Sequence, residues 1–272
     1  MWPKLWPHAA SPVSVVQFRG QRVHVKRDDV FHLAGNKLRK LYWFLQQDAS
    51  FFSDKHLVSF GGTQSNAMLA IAQVAHETKT PFTYFSRALA CDDPSEGRLA
   101  DGNLAHALAL GMRHIQLRDE EYHTLAETRE MEALCRAHCR QHETPLIIPQ
   151  GAAFQYAEDG VKVLAQELNT YCATWKMPPD ERLQAAASTT AATAIHGCLT
   201  MEILASTSIE FDLLYAAFAW QTIMEPSNLE KITERSTTPR ELLYIHTGGV
   251  SGNATMLARY ARKAKTSGRR WP

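Results

Sequence analysis

Lys37 follows Gly35 and Asn36 and precedes an apolar stripe, Leu38, Leu41, Tyr42 and Leu45, at helical spacing. The pattern puts one amine at the start of a helix. A lysine that has lost its proton attacks carbonyl carbons, and desolvation with neighbouring cations promotes that loss. Arg39 and Lys40 are near in sequence. A second grouping, "FGGTQSNAM" (60–68), leads from a strand end into an apolar helix. Gly61 and Gly62 allow close backbone approach, and Ser65 or Asn66 falls at the helix N-terminus. Free N–H groups and the helix dipole favour an anion there, a carboxylate or phosphate. The same residues would also serve as an ordinary helix cap. "HTGGVSGN" (246–253) is a similar junction, yet Gly248, Gly249 and Gly252 do not fit G-x-G-x-x-G, and no G-x-x-x-x-G-K-[ST] loop occurs. Cys135, His138, Cys139 and His142 lie at i, i+3, i+4 and i+7. Four ligands on one helix cannot surround a tetrahedral ion, so no metal is assigned.

The elements that must hold these residues alternate in type. Strands are read at 22–26, 56–60, 81–86, 113–117, 145–149, 183–187, 211–218 and 241–246. Helices are read at 36–47, 65–77, 102–111, from after 117 to about 141, and at 156–168. Such alternation implies parallel strands with helical crossovers, an α/β architecture. Open α/β sheets keep their chemistry at the carboxyl ends of strands. Four loops there are polar or glycine-rich: 60–68, 149–154, 187–197 and 245–253. No long linker occurs, so two lobes would be woven together.

Composition narrows the function classes. The chain has 272 residues and a formal net charge of +1 from 29 basic and 28 acidic residues, a balance that argues against a dedicated nucleic-acid surface. No apolar run approaches the roughly 20 residues of a membrane span. Five cysteines spread over the chain suggest reduced thiols, and the N-terminal stretch lacks a continuous apolar signal core. Both point to a cytoplasmic protein.

Taken in order, "VKRDD…GNKLRKL", "FGGTQSN", "GNLAHALALGM", "PQGAAFQYAEDG", "FDLLYA" and "YIHTGG" resemble the motifs of pyridoxal-phosphate enzymes of the tryptophan-synthase-β fold (fold type II). Within it, they are similar to the 1-aminocyclopropane-1-carboxylate deaminase and D-cysteine desulfhydrase group. The resemblance spans about residues 11–260. It implies a two-lobed, three-layer αβα architecture with mostly parallel sheets. Residues 1–51 and 151–272 would form the large cofactor-binding lobe, and 52–150 a small open α/β lobe. By the same resemblance Lys37 carries pyridoxal 5'-phosphate as a Schiff base, and Asn66 hydrogen-bonds its phenolic oxygen. Ser65 holds the substrate carboxylate and assists proton movement, and Gln64 borders that pocket. Tyr215 lies near the substrate for proton transfer or nucleophilic attack. Thr190 and Thr193 hold the phosphate. Thr247 sits near the pyridine nitrogen, where a hydroxyl does not enforce ring protonation as a carboxylate would. The implied activity is that of a pyridoxal-phosphate-dependent lyase or deaminase acting on a small amino acid. The form expected is D-cysteine desulfhydrase-like β-elimination to a 2-oxo acid and ammonia, with sulfide from D-cysteine. A homodimer is implied by analogy.

The chain departs from the family pattern at four places. Thr189-Thr190-Ala191-Ala192-Thr193 stands where the family has a loop like G-T-G-x-T. Alanine in a left-handed position would cost about 1–2 kcal/mol. Only the residues from Ala194 to Phe211 separate this loop from "DLLYA", which shortens the large lobe. Ala67 replaces a histidine found in many members. Ala216 replaces the glutamate that faces the pyridine nitrogen in the deaminases, which disfavours cyclopropane opening and favours β-elimination. The altered loop and lost segment motivate an alternative: a catalytically weak or inactive homologue that serves as a cofactor-binding or interaction protein. 1-Aminocyclopropane-1-carboxylate deaminase is the second alternative.

Overall fold

Arg19 and Gly20 both have positive φ, 47° and 80°, the backbone that suits a two-residue hairpin loop between twisted strands. They join β1 (Val13–Phe18) to β2 (Gln21–Arg27), the one antiparallel pair among the described strands. The sequence reading assigned nothing to 13–18. The computed structural model describes residues 10–31, 36–88, 102–128, 130–140, 143–174, 183–185, 196–212, 216–225, 242–248 and 250–258. It divides into two compact units, one drawn from 32–163 and the other from 9–31 and 164–272. The lobe boundaries expected from the sequence, 51/52 and 150/151, both fall inside the first of these.

The second unit is built on a sheet of order β1-β2-β8-β7, with β7 at Leu183–Ala185 and β8 at Leu242–His246. β8 is buried along its whole length, as a parallel strand covered on both faces should be. One face carries Val23, Val25, Leu242 and Tyr244, packed with Phe18, Ile203, Phe211 and Trp220. Trp220 meets Phe18, Phe211 and Tyr244 edge-on, with ring centroids 5.4, 5.1 and 5.1 Å away. Ile203 comes from α8 (His196–Thr207) and Trp220 from α9 (Ala216–Met224). On the opposite face Leu243 and Ile245 pack against Leu168 and Cys172 of α7 (Ala157–Ala173). The period-2 alternation of β2 sends His24 and Lys26 to that face as well. His24 Nδ1 lies 2.7 Å from the Tyr171 hydroxyl, and the buried Lys26 ammonium donates to Glu167 (2.7 Å) and to the Ser11 carbonyl (2.6 Å).

The strand read at 211–218 is corrected. Residues 213–215 lie outside the described residues, and Ala216 onward is the helix α9. An apolar run of this length is ambiguous by periodicity, and here Trp220 and Met224 meet the core at helical spacing. α8 occupies the shortened stretch between Ala194 and Phe211.

The first unit holds the sheet β5-β4-β3-β6, parallel throughout. Its strands are β3 (Lys55–Phe60), β4 (Phe82–Arg87), β5 (Arg113–Leu117) and β6 (Thr144–Ile148). Val58, Phe60, Phe85, Ile115 and Ile147 share one face with Leu125 and Met131, which belong to α5 (Asp119–Thr128) and α6 (Met131–Ala137). The single helix read from after 117 to about 141 is therefore two. α3 (Asn66–Thr78) packs on β3 and β4 and on α4 (Asn103–Ala109). α1 (Asn36–Leu45) lies against α3, and the four-residue α2 (Ala49–Phe52) leads into β3.

Candidate functional site

The sheet of the first unit runs outward from β3 through β4 to β5, whereas β6 lies on the other side of β3. Strand order reverses at the β3–β6 pair, the place where open α/β sheets bind ligands beyond their carboxyl ends. The loops leaving those two strands are 61–65 and 149–154, two of the four marked from the sequence. They approach each other closely. Gly61 has φ 146°, a backbone that side chains rarely adopt, and a Cβ there would lie 2.6 Å from the Tyr84 hydroxyl and 3.4 Å from Gln150 Cγ. Tyr84 donates to the Gly62 carbonyl (3.1 Å). Its burial pushes the phenol well above the ordinary range, with a hydrogen bond to Ser65 opposing, so the group is a neutral pin beneath the loop.

The N-terminus of α3 forms as the residue types dictate. Ser65 has extended backbone, and its Oγ accepts the Met68 N–H at 3.3 Å, a helix cap. Gln64, Ser65 and Asn66 are all half-buried. The sequence reading missed the residue that ties them together. Asn103, fully buried at the first position of α4, donates from Nδ2 to the Gln64 carbonyl (3.0 Å) and to Asn66 Oδ1 (2.8 Å). Its backbone N–H donates to Gln64 Oε1 (3.1 Å). The Gly102-Asn103 pair opening a helix was the available signal.

Lys37 stands in the first turn of α1 and is half-buried. Behind it Leu38, Leu41, Phe44 and Leu45 are buried. Trp43 stacks on Tyr156 at 4.2 Å, and Phe44 on Phe154 at 5.0 Å. Gly160 of α7 rests directly on the Arg39 carbonyl. The other cations of the segment from Lys26 to Leu45 have structural roles. Lys26 is paired with Glu167, and Arg27 grips Asp29 with two hydrogen bonds of 2.8 and 2.7 Å. Arg39 is buried, and Lys40 donates to the Gly151 carbonyl at 3.1 Å, its ammonium pushed down in pKa by burial.

In the second unit Thr247 follows the carboxyl end of β8 and is half-buried. Gly248 leaves room for Asp212, since a Cβ there would run into that carboxylate. Thr190, Thr193 and Tyr215 lie outside the described residues. Lys37, Gln64, Ser65 and Asn66 belong to one unit and Thr247 to the other. Away from these loops His56, Cys139 and Glu143 gather ligand-type atoms within 4.8 Å of one another. The imidazole is engaged on both sides: Nδ1 lies 2.6 Å from Glu143 and Nε2 2.9 Å from the Thr83 hydroxyl. Cys139 is raised in pKa by burial and by Glu143, which opposes the thiolate a metal would need. The cluster reads as a hydrogen-bonded tie between β3, β4 and the turn before β6.

No protein-family model matches the chain, and no curated protein matches it. Solved structures do. An ACC deaminase homologue superposes with a TM-score of 0.70 at 17% identity, over 95% of this chain and 94% of that one. A fungal L-serine ammonia-lyase from Rhizomucor miehei gives 0.61 at 11% identity, over 94% and 98%. Diaminopropionate ammonia lyase from Escherichia coli, in complex with an aminoacrylate–PLP azomethine reaction intermediate, gives 0.60 at 12% identity, over 97% and 90%. The fold is thus the tryptophan-synthase-β-like α/β fold expected from the motifs. Among the described residues no helix is long and apolar enough to cross a membrane.

Proposed function

We propose that this chain is a pyridoxal-phosphate-dependent lyase or deaminase of a small amino acid, with D-cysteine desulfhydrase-like β-elimination as its reaction. The observation that carries the reading is the first unit's own layout. It holds a half-buried amine at a helix start and a pair of polar loops at the sheet's strand-order reversal, which supports the reading. The groups present fit the cofactor: an amine for its aldehyde, amide donors and a helix N-terminus for anionic oxygens. Pyridoxal phosphate, when bound, supplies the electron sink for negative charge on the substrate carbon.

The chain's residues do the rest. Lys37 would hold the cofactor through Nζ and would move a proton at that atom. Asn66 would donate to the phenolic oxygen. Ser65, Gln64 and the N-terminus of α3 hold the substrate carboxylate. Tyr215 would relay a proton, Thr247 would serve the pyridine nitrogen, and Thr190 and Thr193 would hold the phosphate. D-cysteine and water would leave as pyruvate, sulfide and ammonia. Ala216 supports elimination over cyclopropane opening. Lobes of 1–51 with 151–272 and of 52–150, a homodimer and a cytoplasmic location complete the proposal. Ala191 and Ala192 in the phosphate loop favour one other reading, a weakly active homologue that retains cofactor binding. A visible spectrum of the protein with added pyridoxal phosphate, followed by sulfide and pyruvate assays on D-cysteine, tests both. A cofactor band with product release supports the lyase, a band without release supports the weak homologue, and no band defeats both.

A further inference from the structure

Three hydrogen bonds around Asn103 have a directional consequence. A backbone carbonyl only accepts, so the Asn103 side-chain atom 3.0 Å from the Gln64 carbonyl must be its amide nitrogen. That same nitrogen is 2.8 Å from the Asn66 side chain, which must therefore turn its oxygen inward. Asn66 then presents NH2 as its opposite pole. By the same logic the Asn103 backbone N–H can only donate, so Gln64 meets it with Oε1 and also presents NH2 at the opposite pole. Neither assignment needs a hydrogen to be seen, because each is anchored to a main-chain group of fixed polarity. A further observation favours a role beyond packing. Asn103 Oδ1 is buried with no hydrogen-bond partner among the described residues. An unsatisfied buried acceptor is unfavourable, and native structures seldom keep one without a reason. Here the cost accompanies a residue that sets two amides, Asn66 through its side chain and Gln64 through its main-chain N–H.

We infer that Asn103 is a positioning residue that fixes the polarity of both Asn66 and Gln64, so that this end of α3 offers amide donors and selects ligands with anionic oxygens. It rests on the proposed function in one respect, that the oxygen facing Asn66 is the phenolic oxygen of pyridoxal phosphate. Asn103→Asp keeps the size and places a carboxylate in the first turn of α4, which the helix dipole tolerates. It turns an acceptor toward Asn66, which must then donate inward and offer its oxygen to the ligand, and it also loses the bond to the Gln64 carbonyl, a loss that Asn103→Ala shares. Asn66→Asp keeps the bond from Asn103 but removes the outward donor. Asn103→Ala removes the donor without supplying an opposing acceptor, so both orientations of Asn66 are populated.

The test is pyridoxal phosphate titration of full-length wild type and the three variants, with melting temperatures alongside. Both Asp variants should bind about 10- to 100-fold more weakly, the value of a hydrogen bond to a charged group, and Asn103→Ala should lose less. The pH midpoint of the bound cofactor's visible band should move up in both Asp variants, because the phenolate loses a donor. Affinity losses that simply follow the melting temperatures, or Asn103→Asp binding within twofold of wild type with an unmoved midpoint, would overturn the inference. If wild type binds no pyridoxal phosphate, the proposed function fails and the polarity is judged on the apo-protein. Asn-selective 15N spectra should then show the Asn66 NH2 resonances moving to hydrogen-bonded positions in Asn103→Asp; unmoved resonances would refute the fixed orientation.

Discussion

Replacing Gly160 with alanine sets two physical effects against each other. In an open helix the change stabilises by about 1 kcal/mol, because alanine surrenders less backbone entropy than glycine. Gly160 is buried, however, and an added Cβ runs into the Arg39 carbonyl oxygen while lying 2.7 Å from both the Arg39 carbonyl carbon and Tyr42 Cβ. Carbon atoms prefer about 3.5–4.0 Å, so α1 or α7 must retreat by about 1 Å. The obstacle is main chain, which no rotamer change can move aside. Overpacking costs about 1–3 kcal/mol, and a rigid neighbour puts this contact at the upper end. The net expectation is destabilisation by about 2 kcal/mol, or a melting temperature lower by about 4–8 °C. The same retreat displaces the helix that carries Lys37, so pyridoxal phosphate loading should weaken with it. Thermal denaturation of the apo-protein followed by cofactor titration measures both. A melting temperature equal to or above that of wild type would refute the reasoning, since it would mean that α7 does not rest on α1 as described.

Other perturbations give separate checks. Glu167→Gln leaves the buried Lys26 ammonium facing a neutral amide, and denaturant unfolding should report a loss of about 3–5 kcal/mol; a loss under 1 kcal/mol would speak against a closed pair. Gly61→Ala should cost about 1–3 kcal/mol through its φ of 146°, plus the clash with Tyr84. The double variant with Tyr84→Phe should recover only the clash, and full recovery would disprove the backbone contribution. Glu143 is held below its ordinary 4.5 chiefly by the Arg140 N–H, with His56 adding to the effect. A depressed carboxyl pKa means stability present above about pH 4.5 and lost as pH falls through the folded value. Wild type should therefore lose more stability than Glu143→Gln between about pH 5 and about pH 3, and parallel curves would contradict the tie.

The sequence carried the site's loops further than it carried their neighbours. "GGTQSN" and "PQGAAF" were legible because glycine, proline and hydroxyl residues interrupt apolar runs at strand ends, which is local chemistry. That they leave adjacent strands at a reversal of strand order is a non-local fact of the β3–β6 pairing. Asn103 lay in plain view as the start of a helix, yet its grip on Gln64 and Asn66 spans 39 and 37 residues of chain. The tight approaches at Gly160 and Gly248 are likewise set by partners remote in sequence, Arg39 and Asp212. The strand reading of 211–218 failed for a different reason. Its alanines, phenylalanines and leucines suit a buried helix as well as a buried strand, and only Trp220 and Met224 beyond it reveal the helical period. The β1–β2 hairpin escaped notice because its turn, Arg19-Gly20, uses a positive φ on arginine, which composition does not advertise.

The central claim is that Lys37, among several lysines in its stretch of chain, is the amine that takes the cofactor. Borohydride reduction of the protein loaded with pyridoxal phosphate, followed by digestion and peptide mass spectrometry, tests this directly. One stable adduct is expected, on the peptide containing Lys37, and it should vanish in Lys37→Ala. An adduct on Lys40 or on a peptide outside α1, or none at all, would contradict it.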